Sequence, residues 1–186
     1  MRFKFKITRN RVFFILIFFL IAFSIFYYIS YIPKPITSRY FYGIKLNFRA
    51  DLRQASKIPV YPIEDVVNTE LINPLVKNIT IVYKFSTPEE NSYYAIEAFE
   101  IANKLYYAYR VSGYDVPKFI TMNVSSYENL PGKIQNPIIA LVAPSYSNET
   151  AVIADTGHIV FIKAKNLKEF DLATVKFLMS ALRIEV

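Results

Sequence analysis

One histidine, His158, and no cysteine limit what this chain can catalyse. A thiol nucleophile, an iron–sulfur cluster and a cysteine-held zinc are excluded, because each needs a thiolate. A metal centre built from several histidines is excluded by the same count. Any Ser–His–Asp hydrolase would have to use His158. Asp155 lies close before it, near enough to pair with the imidazole and bring its titration towards neutral pH; a surface histidine without a role is the simpler reading. Ser145 and Ser147 follow the apolar run Pro137–Ala143, where an α/β sheet opens its ligand crevice, but no Gly-x-Ser-x-Gly elbow surrounds them. The only glycines are Gly43, Gly113, Gly132 and Gly157, so neither GxGxxG nor GxxxxGK[ST] occurs and no cofactor is expected.

Carboxylates are what remains. Glu64-Asp65 and Glu89-Glu90 fall at predicted helix starts, where acids favour the helix dipole. Glu97, Glu100 and Lys104 read as a salt-bridged solvent face of a helix. The segment Val152-Ile153-Ala154-Asp155-Thr156-Gly157 resembles the Asp-Thr-Gly loop of pepsin-like and retroviral aspartic proteases. The resemblance covers six residues and implies a carboxylate at Asp155 that shares a proton with a symmetry-related one. His158 stands where that family has a small residue, and no second Asp-Thr-Gly or Asp-Ser-Gly exists, so a dimer would be required. Only 29 residues follow Gly157, too few for the rest of a protease lobe. The plainer expectation is a hairpin turn with Gly157 at a positive φ.

The elements that would position these groups follow from pattern. Tyr40–Phe48 alternates, with Ile44, Leu46 and Phe48 on one side, and predicts one strand. ADLRQASKIPVYP is ambiguous, with Pro59 and Pro62 forcing an extended stretch. A short helix is predicted over 63–72 and a strand over 78–85. Thr87-Pro88-Glu89-Glu90 then offers an N-cap, a proline at the first helical position and a capping box closed by Glu90. That helix should run to about Val111, with Gly113 as its left-handed stop. Strands are predicted over 117–124 and 137–143, the second buried on both faces at the centre of the sheet. A hairpin over 150–163 and a last helix over about 168–183, capped by Asn166 and Glu169, complete the order. The fold class expected is α/β (or α+β): an N-terminal transmembrane helix, then one mixed β-sheet domain with two to three packed helices and a late β-hairpin.

The transmembrane expectation rests on Val12–Ile29, VFFILIFFLIAFSIFYYI, which carries no charge and one weakly polar side chain, Ser24. Extended to Tyr31 it has the roughly 20-residue length a bilayer-crossing helix needs. Arg2, Lys4, Lys6, Arg9 and Arg11 precede it, and no acid occurs before Asp51. By the positive-inside rule, residues 1–11 form a cytoplasmic tail and 12–31 the span. Residues 32–38 form a Pro-containing stem, and 39–186 an extracellular domain at the cell membrane. Ala22-Phe23-Ser24 could serve as a signal-peptide cleavage site, but bulky apolar residues follow it, so an uncleaved anchor is expected. Five of the 22 basic residues precede the span, leaving 17 against 15 acidic ones, a balance of only +2. The basic excess is therefore a topology signal, and no nucleic-acid partner is expected.

Outside the span, Asn78-Ile79-Thr80, Asn123-Val124-Ser125 and Asn148-Glu149-Thr150 are glycosylation sequons, with Asn148 in a predicted loop the strongest. Tyr93, Tyr94, Tyr106, Tyr107, Tyr109 and Tyr114 crowd one helix and its exit. One helix cannot bury them all, and tyrosine suits interfaces, so these are interface candidates; compositional bias with a wide packing face is the plainer account. The expected function is a non-enzymatic, membrane-anchored extracytoplasmic binding or scaffolding module of the cell envelope, with a protein or glycan partner. The alternatives are a carboxylate-dependent hydrolase centred on Asp155 and a small-ligand sensor domain.

Overall fold

A computed structural model describes residues 37–186, with Ile21 alone before them. The predicted tail (1–11), the span (12–31) apart from Ile21, and nearly all of the stem (32–38) lie outside the described residues. Among the described residues no helix is long and apolar enough to cross a membrane. The domain is a mixed α/β unit: a two-stranded hairpin, a six-stranded mixed sheet and four helices.

The segment expected as one strand is two. Strands β1 (Thr37–Phe41) and β2 (Ile44–Phe48) pair antiparallel. Tyr42 at φ 45° and Gly43 at φ 82° turn the chain between them. Two consecutive positive φ values make the tight turn that matches strand twist. The alternation of β2 holds, with Leu46 and Phe48 buried. The ambiguous segment holds a short helix, α1 (Leu52–Ala55), because Asp51 accepts from Gln54 N at 2.9 Å and caps it. A two-residue strand, β3 (Val60–Tyr61), and helix α2 (Glu64–Leu71) follow.

Next come β4 (Asn78–Tyr83), α3 (Pro88–Ser112), β5 (Lys118–Asn123), β6 (Ile138–Val142), β7 (Ala151–Asp155), β8 (Ile159–Lys163) and α4 (Leu167–Leu182). Thr87 caps α3 through Oγ1 to Glu90 N at 3.2 Å, and Gly113 ends it at φ 71°. The Glu90 carboxylate does not turn back to close the predicted capping box. It accepts from Ser86 Oγ and, at 3.0 Å, from Ser145 N, so it ties α3 to the exit of β6. Asn166 caps α4 by accepting from Glu169 N at 2.9 Å.

The sheet order is β3-β7-β8-β6-β4-β5. Neighbours are parallel except β7 and β8, the expected late hairpin. All five residues of β6 are buried, as a central strand requires. Four helices rather than two or three lie in the domain, all against one core with Ile79, Ile81, Ile139, Leu141, Val160 and Ile162 of the sheet. The opposite face is covered by the chain between β5 and β6: Val124, Tyr127 and Leu130 pack on Val82, Ile138, Ala140 and Ile159. Tyr127 anchors this cover, its hydroxyl donating to Leu141 O at 2.5 Å and accepting from Lys84 N at 3.0 Å.

The β7–β8 turn corrects one expectation. His158, not Gly157, has the positive φ, at 56°. Gly132 has a different need: a Cβ there would lie 2.2 Å from Gly157 O and 2.8 Å from His158 O. The covering segment thus approaches the hairpin turn backbone to backbone. Replacing Gly132 by Ala forces one of two main chains to move, so Gly132→Ala should lose about 1–3 kcal/mol in urea unfolding, the range for overpacking. Gly43→Ala, with open space around its Cβ but φ 82°, tests conformational strain alone.

Candidate functional site

The carboxylates that converge are not the ones the sequence singled out. Glu97 on α3, read as solvent-facing, is 1% exposed. It meets Asp171 and Thr174 of α4, with Arg49 beyond β2 alongside. Arg49 Nε lies 3.5 Å from Asp171 Oδ1. Two helical turns on, Lys104 is also buried and lies 2.7 Å from Glu100 Oε1, with its ammonium 5.0 Å from the centre of the Phe48 ring. Three acids and two bases therefore occupy the seam between α3, α4 and the end of the β1–β2 hairpin.

Burial, a hydrogen bond to Asp171 and the Asp171 charge all push the Glu97 carboxyl well above the usual carboxylate range, while Arg49 and Thr174 pull it down less. Burial and the neighbouring Asp171 charge thus favour the neutral form of the Glu97 carboxyl. Burial likewise lowers the Lys104 pKa against the pull of Glu100. Glu97 Oε1 and Thr174 Oγ1 make no well-aligned hydrogen bond, and Arg49 Nε, Asp171 Oδ1 and Glu100 Oε1 are held by ion pairs without aligned hydrogen bonds. A carboxyl held neutral is a group that acid–base catalysis can use, but a catalyst needs a route for substrate. Glu97, Glu100 and Asp171 line none of the three hollows described below.

The predicted site at Asp155 comes apart. Asp155 is exposed, and its carboxylate accepts from Thr156 N at 2.7 Å within the turn. His158 does not take Asp155 as partner; its Nδ1 meets Glu70 Oε2 of α2. Ile138 N bonds to His158 O at 3.0 Å, so the histidine sits at the start of β6, while Ser145 and Ser147 lie past its end. Neither serine can serve that imidazole. Ser145 gives its N–H to Glu90, and Ser147 Oγ donates to Glu149 O at 2.8 Å.

The tyrosines divide. Tyr94 and Tyr109 are fully buried, and burial raises both hydroxyl pKa values. The Tyr109 hydroxyl donates to Leu71 O, fastening α3 to the end of α2. Tyr93 and Tyr107 are half-buried, and Tyr106 and Tyr114 are exposed. Tyr114 lines the largest hollow, about 550 Å³, together with Arg39, Tyr40, Tyr42, Asn68 and Arg183. Spacing gave no warning of this hollow, because its walls come from a hairpin turn and three helix ends far apart in sequence. A second hollow of about 380 Å³ lies between α3 and the β4–β5 edge, with Tyr83, Phe85, Phe99 and Thr121 in its walls. A third, about 420 Å³, is bordered by Glu64, Asp65 and Arg183.

Of the sequons, Asn148 lies exposed in the loop after the short 3₁₀ turn Pro144–Tyr146. Asn78 opens β4 and is half-buried. Asn123 closes β5, where its Oδ1 accepts from Phe85 N at 3.0 Å. Among the described residues no group of three or more His, Asp or Glu side chains is placed to hold a metal ion. No protein-family model, curated protein or solved structure matches the chain.

The Glu97 pair generates a pH dependence of defined sign. Its folded pKa lies above the unfolded value, so its contribution to stability is complete below the unfolded pKa and is lost as pH rises through the folded one. Glu97→Gln keeps the hydrogen-bonding shape without the titration. Its melting temperature relative to the parent should therefore rise as the pH is raised from the ordinary carboxylate range through neutrality. A difference that stays flat across that range would show that Glu97 does not titrate abnormally.

Proposed function

We propose that this chain is a single-pass, membrane-anchored extracytoplasmic module of the cell envelope that binds or scaffolds a protein or glycan partner and is not itself an enzyme. The observation that carries this reading is the uncharged run Val12–Ile29 placed behind five basic residues, with no acid before Asp51. Taking those side chains out of lipid would expose a continuous apolar surface to water, and the basic flank is held on the cytoplasmic side.

Two features of the domain support a binding role. Its converging carboxylates are engaged with the fold: Glu90 with Ser86 and Ser145, Glu97 with Asp171, Glu100 with Lys104. The largest hollow instead presents the exposed rings of Tyr40, Tyr42 and Tyr114 beside the guanidinium groups of Arg39 and Arg183. Rings that are apolar on their faces and polar at their tips, next to planar cations, suit sugar or peptide surfaces.

The test is topology. The full-length chain, expressed in its host or in a bacterial membrane, should stay with the membrane pellet after alkaline extraction. Protease added outside intact cells should remove the domain and leave a short membrane-bound fragment. A chain released by alkali, or a domain protected from outside protease, overturns the placement. Hydrolysis of peptides or glycans by the purified full-length chain would overturn the non-enzymatic part.

A further inference from the structure

The two edges of the six-stranded sheet are treated differently. At one edge, β3 is two residues long and lies between Pro59 and Pro62, so it offers little to a neighbour. At the other, β5 is six residues long, largely exposed, free of proline and charged only at Lys118. Lys118 N bonds to Lys77 O at 3.0 Å and Val124 N to Tyr83 O at 2.8 Å. Even-numbered residues of β5 therefore turn their main-chain groups towards β4. By strand alternation, Phe119, Thr121 and Asn123 turn theirs outward, and among the described residues no strand pairs with them. Above this edge lies the 380 Å³ hollow, with Phe99 73% and Phe85 60% exposed.

We propose that β5 is a homodimer edge, on which a second copy of this chain pairs antiparallel about a two-fold axis at Thr121. The outward main-chain groups call for a strand, and the strand's own pattern is self-complementary. With Thr121 opposite Thr121, Phe119 falls opposite Asn123, and all three outward residues of each copy exchange their hydrogen bonds. On the face away from the helices, Ile120 falls opposite Met122, which is 48% exposed in the single chain. The two Lys118 side chains, the only charges on the edge, fall at opposite ends of the ladder. Donor meets acceptor, apolar meets apolar, and no like charges face each other. Antiparallel pairing also carries the second copy's Phe119, Thr121 and Asn123 under the exposed Phe99, where they narrow the hollow. Two-fold pairing consumes both open edges and closes the assembly. The inference is independent of where the chain sits relative to a membrane.

The absence of cysteine gives a clean test, since any introduced thiol is the only one. In the hydrogen-bonded pair at the axis the two Cα atoms lie about 5.5 Å apart, within disulfide range. Two copies of Asn123 lie four residues out of register, roughly 13 Å apart along the strand. The full-length chain, in mild detergent, would be oxidised as Thr121→Cys and as Asn123→Cys. Held at an effective concentration near millimolar, the Thr121→Cys pair should cross-link at least about tenfold faster than Asn123→Cys. A mixture of Phe119→Cys and Asn123→Cys chains should give the hybrid dimer. Thr121→Lys, which sets like charges at the axis, should halve the mass of the wild-type particle by light scattering without lowering the melting temperature. Equal cross-linking at Thr121 and Asn123 would mean association through the N-terminal segment or chance collision and would overturn the proposal. So would a monomeric wild-type chain, including one in which another segment or a peptide occupies the edge.

Discussion

Helix α4 is enclosed, and the rest of the domain is arranged around that fact. Every residue from Ala173 to Leu182 is buried, whereas an ordinary surface helix keeps a polar face in water. It packs against α1, α2, α3 and the β7–β8 hairpin. Enclosure is favourable for Phe177, Leu178 and Ala181 but costly for Thr174, Lys176 and Ser180 unless each finds a partner. Lys176 reaches Glu64 at the first turn of α2, and Ser180 Oγ lies 3.3 Å from the same carboxylate. Thr174 faces Glu97. The polar residues of one buried helix thus fix the positions of the two helices beside it.

This explains where the acids of the domain went. Glu64 answers Lys176, and Glu97 meets Asp171 beside Thr174 and Arg49. With no disulfide available, these contacts, each with at least one buried partner, specify how the helices seat on one another. The cost is a cluster whose charges do not fully cancel at high pH. The same enclosure keeps these acids away from the periphery, where a hairpin turn and helix ends bring tyrosines and arginines together.

The helices and the central strand were legible because their signals are local. Thr87-Pro88 and Gly113 bracket α3, Asn166 caps α4, and the unbroken apolar β6 announced a strand covered on both faces. The Tyr42–Gly43 turn was missed because alternation continues in phase on its far side and a single glycine gave the only warning. Glu97 and Lys104 were missed for a different reason. They stand at helical spacing with buried Tyr94, Ile101 and Ala108, and their charge masks the inward position that this spacing gives them. The pairing of His158 with Glu70 joins residues 88 positions apart, which no local pattern could foretell. Which edge of the sheet would be left open also depends on strand order, and that emerges only from the assembled fold.

The first hairpin carries a mechanical consequence. Among the described residues strand β1 pairs only with β2, and its first residue, Thr37, lies opposite Phe48, the last residue of β2. A pull transmitted through the chain before Thr37 would therefore part the ladder at its open end, peeling one bond after another instead of shearing five together. Strand β1 would yield early under tension and lengthen the tether, while Arg49, just beyond the peeled strand, remained locked to Asp171 and the six-stranded sheet felt little of the load.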